Sequence, residues 1–221
     1  MNRLIVALDV PSLDEAIGLT RSIGAAAGGF KVGLELFSAE GPRAVSAIEA
    51  PVFLDIKLHD IPTTVGRALH ALDVVAPWMV NVHALGGRAM LEAAVKAKPQ
   101  PTKLLAVTIL TSLSDDDLTE LGLPKSSEAV PALAKLAEEA GCDGVVCAPQ
   151  DVQAVRAAAP QGFVIVTPGV RPKGSATDEH ARGATPKEAI EAGADYIVVG
   201  RPVTRAPDPR GAAEAITREL G

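Results

Sequence analysis

Eight short apolar runs recur along the chain, at 3–8, 30–34, 51–56, 78–83, 103–110, 143–148, 162–167 and 195–199, with longer Ala-, Glu- and Leu-rich stretches between them. The runs are continuous rather than alternating. That is the pattern of strands buried on both faces, as when helices cover a parallel sheet. The intervening stretches carry helix start signals. Ser12 with Glu15 and Thr185-Pro186-Lys187-Glu188 read as capping boxes, the second with proline at the first helical position, and Asp208-Pro209 is a third N-cap. Eight strand–helix units in 221 residues predict an α/β fold, a single-domain (β/α)8 TIM barrel covering 1–221. A doubly wound open sheet is the alternative. The longest irregular stretches, 111–125 and 169–184, follow the fifth and seventh runs. On a barrel they become loops of the C-terminal face, where active sites sit.

Composition narrows the function classes. At 48% hydrophobic the chain can bury one sizeable core. A net charge of −6 argues against a general nucleic-acid binder, which needs a basic face. No apolar stretch approaches the roughly 20 residues required to span a membrane, so no membrane association is expected. The opening Met-Asn-Arg-Leu-Ile-Val-Ala-Leu-Asp reads as a first strand, not a signal peptide. Cys142 and Cys147 have no metal-ligand spacing and are expected to be reduced core thiols of a cytoplasmic protein.

The unusual polar residues collect at strand ends. In Phe53-Leu-Asp-Ile-Lys-Leu-His-Asp-Ile-Pro-Thr-Thr64, Asp55 and Lys57 interrupt an apolar strand. Residues two apart on a strand share a face, and Asp60 follows within a short turn. Burying acid, base and acid this close is costly unless they pair or serve chemistry. The structural alternative is an ion pair at a strand end, with Asp60 capping the helix ahead of Pro62. Asp9 closes the first strand, Lys31 lies in the second, and Asn81 and His83 close the fourth. Thr108, Thr111 and Ser112 lie at or beyond the fifth. On a barrel this distribution is a catalytic mouth. His83 reads equally as a packing residue, and His59 as one that orders the turn between Lys57 and Asp60.

Thr-Pro-Gly-Val-Arg at 167–171 and Val-Val-Gly-Arg-Pro at 198–202 add a second signal. Gly169 and Gly200 permit close backbone approach, and Arg171 and Arg201 supply planar donors suited to phosphate. Barrels commonly bind phosphate after strands seven and eight. The alternative is turn chemistry with solvated arginines.

Taken together, these segments closely resemble the signature of the orotidine 5′-phosphate decarboxylase family of the bacterial type. Besides 55–64, the likeness runs through Val-Ala-Leu-Asp at 6–9, Phe-Lys-Val-Gly at 30–33, Val-Asn-Val-His-Ala at 80–84, Ala-Val-Thr-Ile-Leu-Thr-Ser at 106–112 and the two Gly-Arg segments. The resemblance implies cofactor-independent conversion of orotidine 5′-phosphate to uridine 5′-phosphate, the last step of UMP synthesis, by a homodimer with shared active sites. By that likeness Lys31, Asp55, Lys57 and Asp60 match an alternating charge tetrad, with Lys57 protonating C6 of the pyrimidine. The position of Asp60 comes from the partner subunit, and Ile61 and Thr64 reach across with it. Asp9 and Lys31 match ribose contacts, Thr111 or Ser112 the region near the base, and Arg171, Gly200 and Arg201 the phosphate grip. One departure stands out: His180 occupies the position where the family usually has a glutamine that bridges phosphate and base. An imidazole can donate one hydrogen bond there but not reproduce the amide.

The residues themselves leave two rivals. One is a magnesium-dependent sugar-phosphate enzyme of the same superfamily, which uses a carboxylate near the end of strand two. Here Lys31 occupies that neighbourhood, with Glu35 the only nearby acid. The other is a non-catalytic phosphate-ligand binder, which needs the arginines but not the buried Asp-Lys-Asp set.

Overall fold

The structure, a computed structural model, describes residues 2–172 and 184–220. Its strands are β1 (Leu4–Ala7), β2 (Gly29–Gly33), β3 (Val52–Leu58), β4 (Met79–His83), β5 (Lys103–Val107), β6 (Gly144–Val146), β7 (Val164–Thr167) and β8 (Tyr196–Val199). Each pairs in parallel with its sequence neighbours, and β8 pairs with β1 to close the barrel. The (β/α)8 expectation therefore holds and the open sheet does not. The helices are α1 (Leu13–Ile23), α2 (Leu34–Glu40), α3 (Arg43–Ser46), α4 (Pro62–Ala71), α5 (Gly87–Ala97), α6 (Asp115–Glu120), α7 (Ser126–Glu139), α8 (Val152–Ala158), α9 (Pro186–Glu191), α10 (Arg201–Thr204) and α11 (Pro209–Glu219).

The helices form because their apolar residues fall at three- and four-residue spacing and find the outer face of the strands. Val65 and Leu69 of α4, and Met90, Leu91 and Ala94 of α5, are buried in this way. Three starts follow the sequence signals. Thr185 and Glu188 exchange both bonds of a capping box, Asp208 accepts from the Gly211 N–H, and the Ser12 hydroxyl accepts from the Glu15 N–H. At Ser12, however, only that half of the expected box is made. A second correction concerns 111–125, which is not irregular throughout. Ser114 and Asp117 form a reciprocal capping box and start α6. Asp115, Asp116 and Asp117 crowd its first turn, where the positive end of the helix dipole favours acids.

Inside the barrel the lower layers are apolar. Ile5, Phe53, Met79, Leu105, Val164 and Val198 pack there, apart from the larger cluster beneath the helices. At the N-terminal end, the Trp78 ring meets Tyr196 edge-on, centroids 5.1 Å apart, and both pack against this cluster. Gly29 makes the room, since a Cβ there would fall 3.1 Å from the indole. Truncating Phe53, which is 1% exposed, to alanine would cost about 3–5 kcal/mol. On β1, β3 and β4 the same inward-facing positions turn polar one step up, from Ala7 to Asp9, Phe53 to Asp55 and Met79 to Asn81.

Candidate active site

The barrel loses its regularity at β3. Phe53 and Leu54 pair with Met79 and Val80 of β4, but the next partners are Leu58 and Val82. Asp55, Ile56 and Lys57 therefore stand opposite Asn81 alone. Lys57 adopts a left-handed backbone, φ 49°, which is unfavourable for a residue with a Cβ. Such bulges re-aim side chains beside active sites. Asp55 and Lys57 do meet, as simple strand alternation predicts, but through this bulge.

Asn81, fully buried, fills the broken ladder. Its Oδ1 accepts the Lys57 N–H at 2.8 Å, and its Nδ2 donates to Asp55 Oδ1 at 2.7 Å. Lys57 Nζ donates to the same Asp55 Oδ1 at 2.7 Å. From β2, Lys31 Nζ lies 3.4 Å from Asp55 Oδ2 and donates to Asp9 Oδ1 at 2.9 Å. Gly33 leaves room beside this last pair. A Cβ at that position would lie 2.8 Å from Asp9 Oδ1 and 3.0 Å from Lys31 Nζ.

Mutual charge governs ionisation here. Burial alone would raise the Asp55 pKa, but the ammonium groups of Lys31 and Lys57, with hydrogen bonds from Lys57 and Asn81, hold it below the usual carboxylate value. Burial would likewise discharge Lys31, yet Asp55 and Asp9 outweigh it and raise its pKa. Both groups thus stay charged at neutral pH inside the barrel. His83 behaves oppositely: burial, then the neighbouring His59 and Lys57, push its pKa down to about 4. Its Nδ1 accepts the Leu85 N–H at 3.4 Å, and its ring stacks on His59 with centroids 5.3 Å apart. His59 thereby packs the turn after Lys57 against β4.

Asp60 stands apart. It is exposed, its Oδ1 accepts the Ile61 N–H at 2.6 Å, and no ion pair joins it to Lys31 or Lys57 of the same chain. Nor does it cap α4, whose N-cap is Ile61 and whose first residue is Pro62. Ile61, 64% exposed, and Thr64 lie beside it on the surface. Three of the four charges expected to form one network are therefore together within a chain.

A cavity of about 390 Å³ opens above them. It is lined by Asp9, Lys31, Asp55 and Lys57 on one side, and by Thr111, Ser112, Gly169, Arg171, Gly200 and Arg201 on the other, with Val107, Ile109, Val146 and Val198 between. Candidate residues from six strand ends thus share one space. A second cavity of about 560 Å³ adjoins it through Arg171, Arg201 and Pro202 and carries Arg205 and Glu219, but none of the buried lysines. Glu35 is exposed in the first turn of α2 and does not line the mouth cavity. His180 and most of 169–184 lie outside the described residues. Thr108 points away from ligand chemistry, donating to the Val146 carbonyl at 3.1 Å. Cys142 and Cys147 are buried free thiols with pKa values pushed up by burial to about 12. Among the described residues, no three His, Cys, Asp or Glu side chains converge as metal ligands.

Chemically, this is a cavity with a fixed zwitterionic wall, a cationic wall and an apolar belt. It suits a small ligand with an anion at one end and a reacting centre at the other. Two features were legible only in part: Asn81 read as a strand-end polar residue of the mouth, but not as a bridge between Lys57 and Asp55, and Gly33 gave no sign of the clearance it provides.

Comparison with known proteins agrees with this geometry. The family model described as orotidine 5′-phosphate decarboxylase / HUMPS family matches residues 2–216. An orotidine 5′-phosphate decarboxylase of Anaeromyxobacter sp. (strain K) is 50% identical, covering 99% of this chain and 98% of its own length. Another, of Nitrosococcus oceani, is 45% identical over 99% of this chain and 97% of its own. Among solved structures, orotidine 5′-phosphate decarboxylase from Lactobacillus acidophilus superposes with a TM-score of 0.87 at 39% identity, with both chains fully covered.

Proposed function

The chain belongs to the orotidine 5′-phosphate decarboxylase / HUMPS family, and from that premise we propose that it decarboxylates orotidine 5′-phosphate to uridine 5′-phosphate and carbon dioxide. The observation that carries this reading is the Lys31–Asp55–Lys57 network, joined to Asp9, facing two arginines across one cavity. A buried lysine on β2 suits a carbanion-forming site and repels a divalent metal. The sugar-phosphate alternative has only Glu35, which stands outside the cavity.

In the proposed reaction the C6–carboxylate bond breaks, its electron pair stays on C6, and carbon dioxide departs. The Lys57 ammonium then delivers a proton to C6 and regains one from water. C6 delocalises charge poorly, so fixed positive charge must meet the developing anion. Lys57 is suited to this because Asp55 and Asn81 hold it before substrate arrives. Asp55, kept ionised by its neighbours, would repel the substrate carboxylate. Two unit charges about 4 Å apart interact by roughly 4 kcal/mol at an effective dielectric near 20. That repulsion fades as carbon dioxide leaves, so it favours the transition state over bound substrate. Arg171, Gly200 and Arg201 would hold the phosphate, Asp9 and Lys31 the ribose, and Thr111 and Ser112 the base. His180, where the family usually has glutamine, would donate one hydrogen bond to the substrate in place of the amide's two.

We further propose that the whole chain acts as one catalytic domain in a cytoplasmic homodimer, with Asp60, Ile61 and Thr64 reaching the partner's cavity. Of the six large exposed apolar residues among those described, Leu34, Ile61, Leu85 and Leu110 follow the C-terminal ends of β2 to β5. Exposed apolar side chains gathered beside the incomplete charge network support a second copy as their cover.

The test is the absorbance change when purified protein meets orotidine 5′-phosphate, with and without EDTA. Conversion to uridine 5′-phosphate at an unchanged rate in EDTA is the expected result. No turnover, or turnover of sugar phosphates that needs added magnesium, would overturn the proposal.

A further inference from the structure

We infer that Asn81 is a positioning residue for the reaction: its amide sets the backbone of Lys57 and the carboxylate of Asp55 in one step. The inference rests on the decarboxylase reading above and adds a residue to its machinery.

The argument begins with the ladder. Three β3 residues face one β4 residue, so the Lys57 N–H has no carbonyl partner on β4. A buried N–H left without a partner is rare and costly. Asn81 Oδ1 supplies the missing acceptor at 2.8 Å. That bond holds Lys57 at φ 49°, a conformation such residues seldom visit unaided, and from it the ammonium turns back to within 2.7 Å of Asp55. The other half of the amide, Nδ2, donates to Asp55 Oδ1 at 2.7 Å and leaves Oδ2 facing Lys31 at 3.4 Å.

Only a side chain that accepts at one atom and donates at the other can do both. A carboxylate has no donor, a hydroxyl cannot span both partners, and leucine offers neither function. Asn81 is 0% exposed and inside the barrel, and its side chain lies behind the two charged residues rather than among those lining the cavity. It acts through Lys57 and Asp55, not on the ligand.

The decisive experiment compares the steady-state kinetics of wild type, N81A, N81L and N81D as a function of pH, alongside melting temperatures and binding of uridine 5′-phosphate. N81A and N81L are expected to lose about 100-fold or more in kcat, the scale of a small misplacement of reacting groups. Their nucleotide affinity should stay within a few-fold, because the arginine wall is untouched. N81D carries the revealing signature. Its acid mimics the amide only when protonated, since it then donates to Asp55 while its other oxygen accepts from Lys57. The adjacent Asp55 charge favours that protonated form. N81D activity should therefore rise as pH falls, with a limb that wild type and N81A lack.

Retention of kcat within threefold in folded N81A and N81L would overturn the inference. So would an N81D profile that parallels that of N81A. Should the variants fail to fold, amide hydrogen exchange in the wild-type enzyme decides: protection of the Lys57 N–H comparable to its strand neighbours supports the bond, and exchange as fast as in exposed turns refutes it. An inactive wild type would instead sink the decarboxylase reading itself.

Discussion

The two walls of the mouth handle charge in opposite ways. Along β1 to β3, each lysine has a carboxylate within 3.4 Å, and Asp55 has two ammonium groups and an amide. From β5 to β8, the described lining holds Thr111, Ser112, Arg171 and Arg201 and no acid. The first wall is balanced by its own strands before any ligand arrives, so its geometry is part of folding. The second gathers guanidinium and hydroxyl donors on one face, the kind of surface that suits a phosphate. On the proposed reading, chemistry and holding fall to different arcs of one barrel, about an apolar belt.

The sharpest way to break this division is at Lys57. Lys57→Ala should reduce kcat by about 10⁴-fold or more, as loss of both proton donor and fixed charge. Nucleotide affinity, read by titration with uridine 5′-phosphate, should change far less. Arg201→Ala is the converse. It should cost about 100- to 1,000-fold in kcat/KM, the scale of losing one charge-stabilising donor. Its melting temperature should match wild type, because the β1–β3 network is untouched. Equal damage to stability from both variants would erase the distinction.

A smaller effect tests whether the balanced wall is finished by a second chain. Lys57→Ala and Asp60→Asn should each be nearly inactive alone. Dissociated and reassociated together, they should recover about a quarter of wild-type activity, because half the dimers are mixed and each mixed dimer carries one intact site. No recovery would leave Asp60 outside the network.

The smallest effect concerns His83. Its pKa is held down to about 4 in the fold against 6.5 ordinarily. Between those values the unfolded chain takes up a proton that the native state refuses, so stability falls as pH drops through that window. Urea midpoints at pH 7 and pH 5 should differ less in His83→Asn than in wild type.

What could be read from the sequence divides along the same physical lines. Eight continuous apolar runs announced eight covered strands, because burial on both faces leaves a composition signal that needs no partner. Asp55 and Lys57 were visible because charge inside an apolar run is anomalous, and Arg171 and Arg201 because each comes shortly after a glycine just beyond a strand. Asn81 was noticed as a strand-end residue but not for what it does. Its importance lies in a two-residue register break that exists only when β3 and β4 are side by side. Helix α6 was hidden because three consecutive aspartates resemble a solvated loop until Ser114 is seen to cap them. Gly33 looked like an ordinary strand end, and only the Asp9–Lys31 pair gives it meaning.

The edge-on pair of Trp78 and Tyr196 has a consequence for traffic. With those rings and the layers of Phe53 and Met79 above them, the described barrel has a packed floor. On the proposed reaction, carbon dioxide released beside Lys57 would meet packed side chains below and the open mouth above. The small neutral product would then share the apolar belt of that mouth with a phosphorylated one gripped at its far side.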